Sequence, residues 1–105
     1  MVLLREEIGD VLRNHRLEQG QTLRQVAARA SVALGYLSEV ERGQKEASSE
    51  ILASVTEALN VPLAQLLREV SDRVATSEGL FEDSTFIPDT VPDAFVAEAD
   101  LFSRQ

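Results

Sequence analysis

The segment Ser31 to Gly43, SVALGYLSEVERG, has room for one short helix and no more. Leu37 and Val40 lie three apart and share one face. Leu34, Gly35, Ser38 and Glu39 fall on the other side. Gly43 stands where a helix with a left-handed C-terminal residue stops. Just upstream, Thr22-Leu23-Arg24-Gln25 is a capping box, with Thr22 as the cap and Gln25 reaching back. It opens a helix to about Arg29 whose Val26, Ala27 and Ala30 point inward. The alanines let this helix pack closely on the next. Ser31 occupies the turn, where glycine is usual.

Two short helices with so tight a connection are the sequence form of a helix-turn-helix, whose second helix lies in the DNA major groove. The net charge of −8 at first argues against nucleic acid. Its distribution softens that objection. Residues 1–79 hold nine Arg or Lys and twelve Asp or Glu, whereas residues 80–105 hold one Arg and six acids. DNA binding needs a local basic surface, not a basic total.

The remaining helices read off by period and punctuation. Residues 3–19 place Leu4, Ile8, Val11, Leu12 and His15 on one face, with Gly20 as the stop. Ser48 caps a helix to Leu59 with Ile51, Leu52, Val55 and Leu59 inward, and Asn60 suits a left-handed ending. Pro62 suits the first turn of a last core helix. Leu63, Leu66, Leu67, Val70 and Val74 then form one apolar stripe through about Ala75. The fold class is all-α, five helices around one core. A chain of 105 residues is one domain's worth.

Several function classes drop out. There is no cysteine, one histidine (His15, read as a solvated or edge-of-core residue) and no Gly-rich phosphate loop. No metal site, cofactor or enzymatic constellation is expected. No apolar run reaches the ~20 residues that span a bilayer, and no signal peptide opens the chain. A reducing cytoplasm fits.

The capped helix TLRQVAARA, the turn, YLSEVERG, a polar loop and SSEILASVTEALNVPLAQLL together resemble the Xre or phage-repressor type of helix-turn-helix regulator, over about residues 8–67. More narrowly, GYLSEVERGQKEASSEIL, a short N-terminus and an acidic tail are similar to the actinobacterial regulators of Clp protease genes (the ClgR type). The resemblance implies a lambda-repressor-like domain over residues 1–75, operator binding as a homodimer, and transcriptional activation of proteolysis genes.

The resemblance also implies roles for particular residues. The family's buried ion pair falls on Arg16 and Glu41, near the inner faces of their helices, where an unpaired charge would be costly. Its base-reading positions fall on Leu34, Gly35, Ser38 and Glu39. Here the chain departs from the family: Leu34 replaces a long polar residue, Gly35 carries no side chain, Ala33 stands at the helix cap, and Leu23 opens the second helix. Leu34 could meet a thymine methyl and Glu39 could accept from cytosine N4, or both could stay solvated. Arg42, Gln44 and Lys45 cluster after the recognition helix, and Arg24 lies in the first turn of the second helix, near the other phosphate strand. Phosphate contact is the expected role of these four.

Leu66, Val70 and Val74 carry the apolar stripe past the minimal domain. A helix extended this far needs a partner, either a twin subunit or the C-terminal segment, and the twin is favoured. Residues 76–105 form an acidic segment holding Phe81, Phe86, Phe95 and Phe102. Pro88 and Pro92 interrupt it, and Asp93 to Phe102 could be a short amphipathic helix. It would contact RNA polymerase or the Clp protease machinery, or dock on its own dimer. The rival function is a protein-interaction module that keeps the helix-turn-helix scaffold but has lost DNA binding. Net acidity and the Leu34–Gly35 pair favour it, whereas Arg42 and Lys45 oppose it.

Overall fold

The computed structural model describes residues 2–79. Five α-helices follow one another: α1 Leu4–Glu18, α2 Leu23–Ala30, α3 Leu34–Glu41, α4 Ser49–Ala58 and α5 Leu63–Ser77. The described residues up to Val74 pack as one unit, in which α2 lies on both α3 and α4 and α1 crosses α3. The acidic segment from residue 80, with the anticipated helix at 93–102, lies outside the described residues.

Local chemistry sets the helix ends. Both arms of the capping box are made: Gln25 N–H donates to Thr22 Oγ1 at 3.0 Å, and Thr22 N–H to Gln25 Oε1 at 2.9 Å. Ser31 adopts the left-handed conformation, φ 59°, that glycine usually supplies after a helix. Ser48 Oγ accepts from Ile51 N–H at 3.2 Å, and Asn60 ends the next helix at φ 59°. The carbonyls left open at the end of α4 accept from Gln19 Nε2 (Leu59 O, 2.6 Å) and Arg29 Nη1 (Ala58 O, 3.3 Å). Pro62 stands just ahead of α5, and its carbonyl takes Gln65 N–H at 2.9 Å.

The core draws on every helix. Leu12, Val26, Leu37, Val55 and Leu66 are fully buried. Each such side chain contributes roughly 1.5–3 kcal/mol of burial. On α1, Val11 and Leu12 are core, but Leu4 is exposed. His15 sits at the core's edge with Nε2 2.8 Å from Glu69 Oε1. Arg73 reaches Glu7 at 3.3 Å and Asp10 at 2.8 Å. These contacts fasten α1 to α5. The Gln65 amide, donating at 2.9 Å, is the main reason that the Glu69 carboxyl is held below the usual carboxylate range; His15 and Arg73 act in the same sense, against partial burial.

The stripe on α5 divides: of the dimer surface anticipated at Leu66, Val70 and Val74, the first two are corrected. Leu66 is 0% and Val70 3% exposed, both inside the chain's own core, and Val74 packs partly against it. Leu63 and Leu67 keep 39% and 49% exposure. A stripe this wide cannot lie wholly against one neighbour: the edge through Leu66 and Val70 turns to the core, and the edge through Leu63 and Leu67 stays outside. Among the described residues no helix is long and apolar enough to cross a membrane.

Candidate nucleic-acid interface

The recognition helix α3 is held from behind by α1. At their crossing, a Cβ added to Gly9 would stand 2.2 Å from Val40 O and 2.7 Å from Glu41 O, closer than real Cβ atoms come. Glycine there lets the α1 backbone rest on the last turn of α3. About two turns along α1, Arg16 forks onto Glu41: Nε donates to Oε2 at 2.7 Å and Nη2 to Oε1 at 2.9 Å. Nη1 donates to Gln21 O at 3.1 Å. The two side chains are 12% and 6% exposed. Hydrogen bonding to Glu41 raises the pKa of the Arg16 guanidinium above its already high ordinary value, against the opposing effect of desolvation. Arg16 therefore joins α1, α3 and the α1–α2 connection, and its fork is occupied.

Two more tethers fix the loop after α3. Gly43, at φ 75°, lies against Glu6, and its carbonyl accepts from Arg5 Nε at 2.9 Å. Tyr36 Oη donates to Glu46 O at 2.8 Å.

The outward face of α3 carries few free polar groups. Leu34 is half-buried and gives part of its side chain to the core. Gly35 is exposed, and an added Cβ would meet nothing within 4 Å. The Ser38 hydroxyl accepts from the Arg42 guanidinium. Glu39 faces Lys45, with Oε1 3.9 Å from Nζ. Arg24, Arg42, Gln44 and Lys45 are all exposed. Arg24 has no bonded partner among the described residues, and Arg42 Nη2 reaches Gln44 Oε1 at 3.4 Å. The structure thus joins Ser38, Arg42 and Gln44 in one cluster and pairs Glu39 with Lys45, and it leaves Leu34 and Gly35 with little to offer a base edge.

The sequence reading passed over Gly9, Arg5 and Tyr36. Gly9 had a signal: glycine inside a helical pattern weakens the helix and usually marks a close approach. Gly35 is the contrasting case, since nothing in the fold needs it. Gly35→Ala should raise stability by about 0.5–1 kcal/mol, the ordinary helix gain of alanine over glycine. A denaturant titration showing a loss would mean that the position is not open.

A capped helix, a left-handed turn residue and a second short helix with an exposed outer face and cations behind it are the architecture of a helix-turn-helix DNA-binding protein. A helix-turn-helix domain model matches residues 7–70. The transcriptional regulator ClgR of Mycobacterium tuberculosis is 53% identical over 78 residues, which cover 74% of this chain and 70% of that one. The crystal structure of the clp gene regulator ClgR from Corynebacterium glutamicum superposes with a TM-score of 0.70 at 41% identity, covering 88% of this chain and 98% of that one. The restriction-modification controller protein C.AhdI from Aeromonas hydrophila shares the fold at a TM-score of 0.58 and 26% identity, over 59% of this chain and 94% of that one. The chain belongs to the helix-turn-helix transcriptional regulators, within the ClgR-type group. It is a sequence-specific DNA-binding protein that controls transcription.

Proposed function

We propose that this regulator reads an inverted-repeat operator as a homodimer and activates genes of proteolysis, clp genes first among them, in the cytoplasm. The names of its relatives support the choice of genes. The observation that carries the dimer is the poverty of the α3 face: Gly35 has no side chain, and Ser38 and Glu39 already face Arg42 and Lys45. One such helix offers little direct readout, so useful affinity calls for two copies. In a two-fold dimer their recognition helices lie about 34 Å apart, one turn of the duplex. Polymerase or the Clp machinery would engage the acidic, Phe-containing residues 76–105.

Phosphate contacts are testable by salt. Arg42→Ala or Lys45→Ala should weaken binding to all sequences alike and flatten the log–log salt slope by about one unit per lost contact. If Lys45→Ala shifts the preferred base, Lys45 reads the groove instead. A chain with no salt-dependent DNA binding would favour the protein-interaction module. Transcription in vitro from a clp promoter should rise with added protein; a fall would make it a repressor.

The apolar surface left for a twin on α5 is the exposed pair Leu63 and Leu67, with Val74 half-buried. Leu63→Glu with Leu67→Glu should give a folded monomer with poor operator binding. Val70→Asp should instead unfold the chain, because it buries an unpaired carboxylate. Light scattering beside circular dichroism separates these cases. A doubly substituted protein that is folded and still dimeric would place the interface elsewhere.

A further inference from the structure

Arg13 of α1 has no role in the fold or in the DNA face described above. We propose that it is a phosphate-binding residue, and that with Arg42 it grips the DNA strand passing the groove between α1 and α3. The proposal rests on the DNA-binding reading of α3.

An open groove of ≈ 810 Å³ lies beside the α1–α3 crossing, and Arg13, Leu23, Ser38, Arg42 and Gln44 are among its lining residues. Most of the charge in it is already paired. Arg16 is bound to Glu41 at 2.7 Å, and Arg73 lies 3.3 Å from Glu7 and 2.8 Å from Asp10. Arg13, Arg42 and Glu6 remain without an ionic partner among the described residues. Arg42 bonds only neutral groups, Ser38 and Gln44. Four arginines (Arg13, Arg16, Arg42, Arg73) balance four carboxylates (Glu6, Glu7, Asp10, Glu41) along the groove, and the two cations in it that no carboxylate already holds are Arg13 and Arg42. Arg13 is exposed and makes no hydrogen bond among the described residues, so its guanidinium has its whole donor fork available. That fork suits a phosphate, and the groove adjoins Ser38 and Arg42, from which the backbone of a duplex seated on α3 would run.

The test uses the full chain, an operator fragment and a mixed-sequence duplex, each titrated across a salt series. Arg13→Ala should lower affinity for both duplexes by the same factor and flatten the log–log salt slope by about 0.9. Arg13→Lys should restore the slope, since it keeps the charge. Thermal unfolding should be unchanged, because the side chain holds nothing in the fold. An unchanged slope for Arg13→Ala, beside a flattened one for Arg42→Ala, would make Arg13 a solvated charge and overturn the proposal. A change in base preference would overturn it as well. A wild-type chain that binds neither duplex would remove the DNA-binding reading, and the proposal with it.

Discussion

Glu41→Ala should lower the stability of the folded chain by about 3 kcal/mol, the lower end of the range for breaking a buried pair. The carboxylate takes both arms of the Arg16 fork at 2.7 and 2.9 Å, and its removal leaves a guanidinium that is only 12% exposed with one remaining bond, to Gln21 O. The lower end applies because Arg16 borders the open groove, through which water can reach the freed nitrogens. Arg16→Ala should cost at least as much, since it strands Glu41, the more buried partner. Replacing both by apolar residues of similar volume should recover most of the loss. Denaturant unfolding of the two single variants and the double variant closes the cycle. A Glu41→Ala loss below ~1 kcal/mol, the range of a surface pair, would show that the fork contributes no more than an exposed one. Function should follow stability here, because this pair anchors the end of the helix that meets DNA.

The second large effect has no charge in it. Gly9→Ala should destabilise by about 3 kcal/mol, the upper part of the usual range for overpacking. In an open helix the same change would stabilise, as expected at Gly35. The sign reverses because the new methyl would lie 2.2 Å from Val40 O and 2.7 Å from Glu41 O, and both are main-chain atoms that cannot rotate aside. Relief requires α1 and α3 to separate, which also stretches the Arg16–Glu41 fork. Urea titration of Gly9→Ala and Gly35→Ala side by side isolates the environment from the substitution. A Gly9→Ala protein as stable as wild type would mean that the crossing is looser than described. In the folded fraction, operator affinity should fall as well, since α3 moves relative to Arg13 and Leu23 across the groove.

The legible part of this protein lies in neighbours along the chain. A capping box is written in four consecutive residues, and Thr22 and Gln25 bond as that spacing requires. Apolar residues three and four apart mark the inner faces of α2 and α3, and Val26, Ala27, Ala30, Leu37 and Val40 are buried accordingly. The left-handed stops at Ser31, Gly43 and Asn60 follow from the same local logic. Five helices in this order, with a turn this short between the second and third, leave few ways to close one core.

What the sequence could not decide depends on residues far apart in it. Periodicity puts Leu63, Leu66, Leu67 and Val70 on one stripe, but a helix does not record where its neighbours stand. Only packing turns Leu66 and Val70 inward and leaves Leu63 and Leu67 outside. Charge composition is equally silent about pairing: Arg73 meets Glu7 across 66 positions, while Arg13 lines the same groove with no ionic partner among the described residues. Ser38 and Glu39 face outward on any helical wheel, yet each already touches a cation from the following loop. Local backbone preference and side-chain period act within a few residues and so survive in the sequence. Burial and ion pairing are properties of the space between helices, and they exist only once that space has closed.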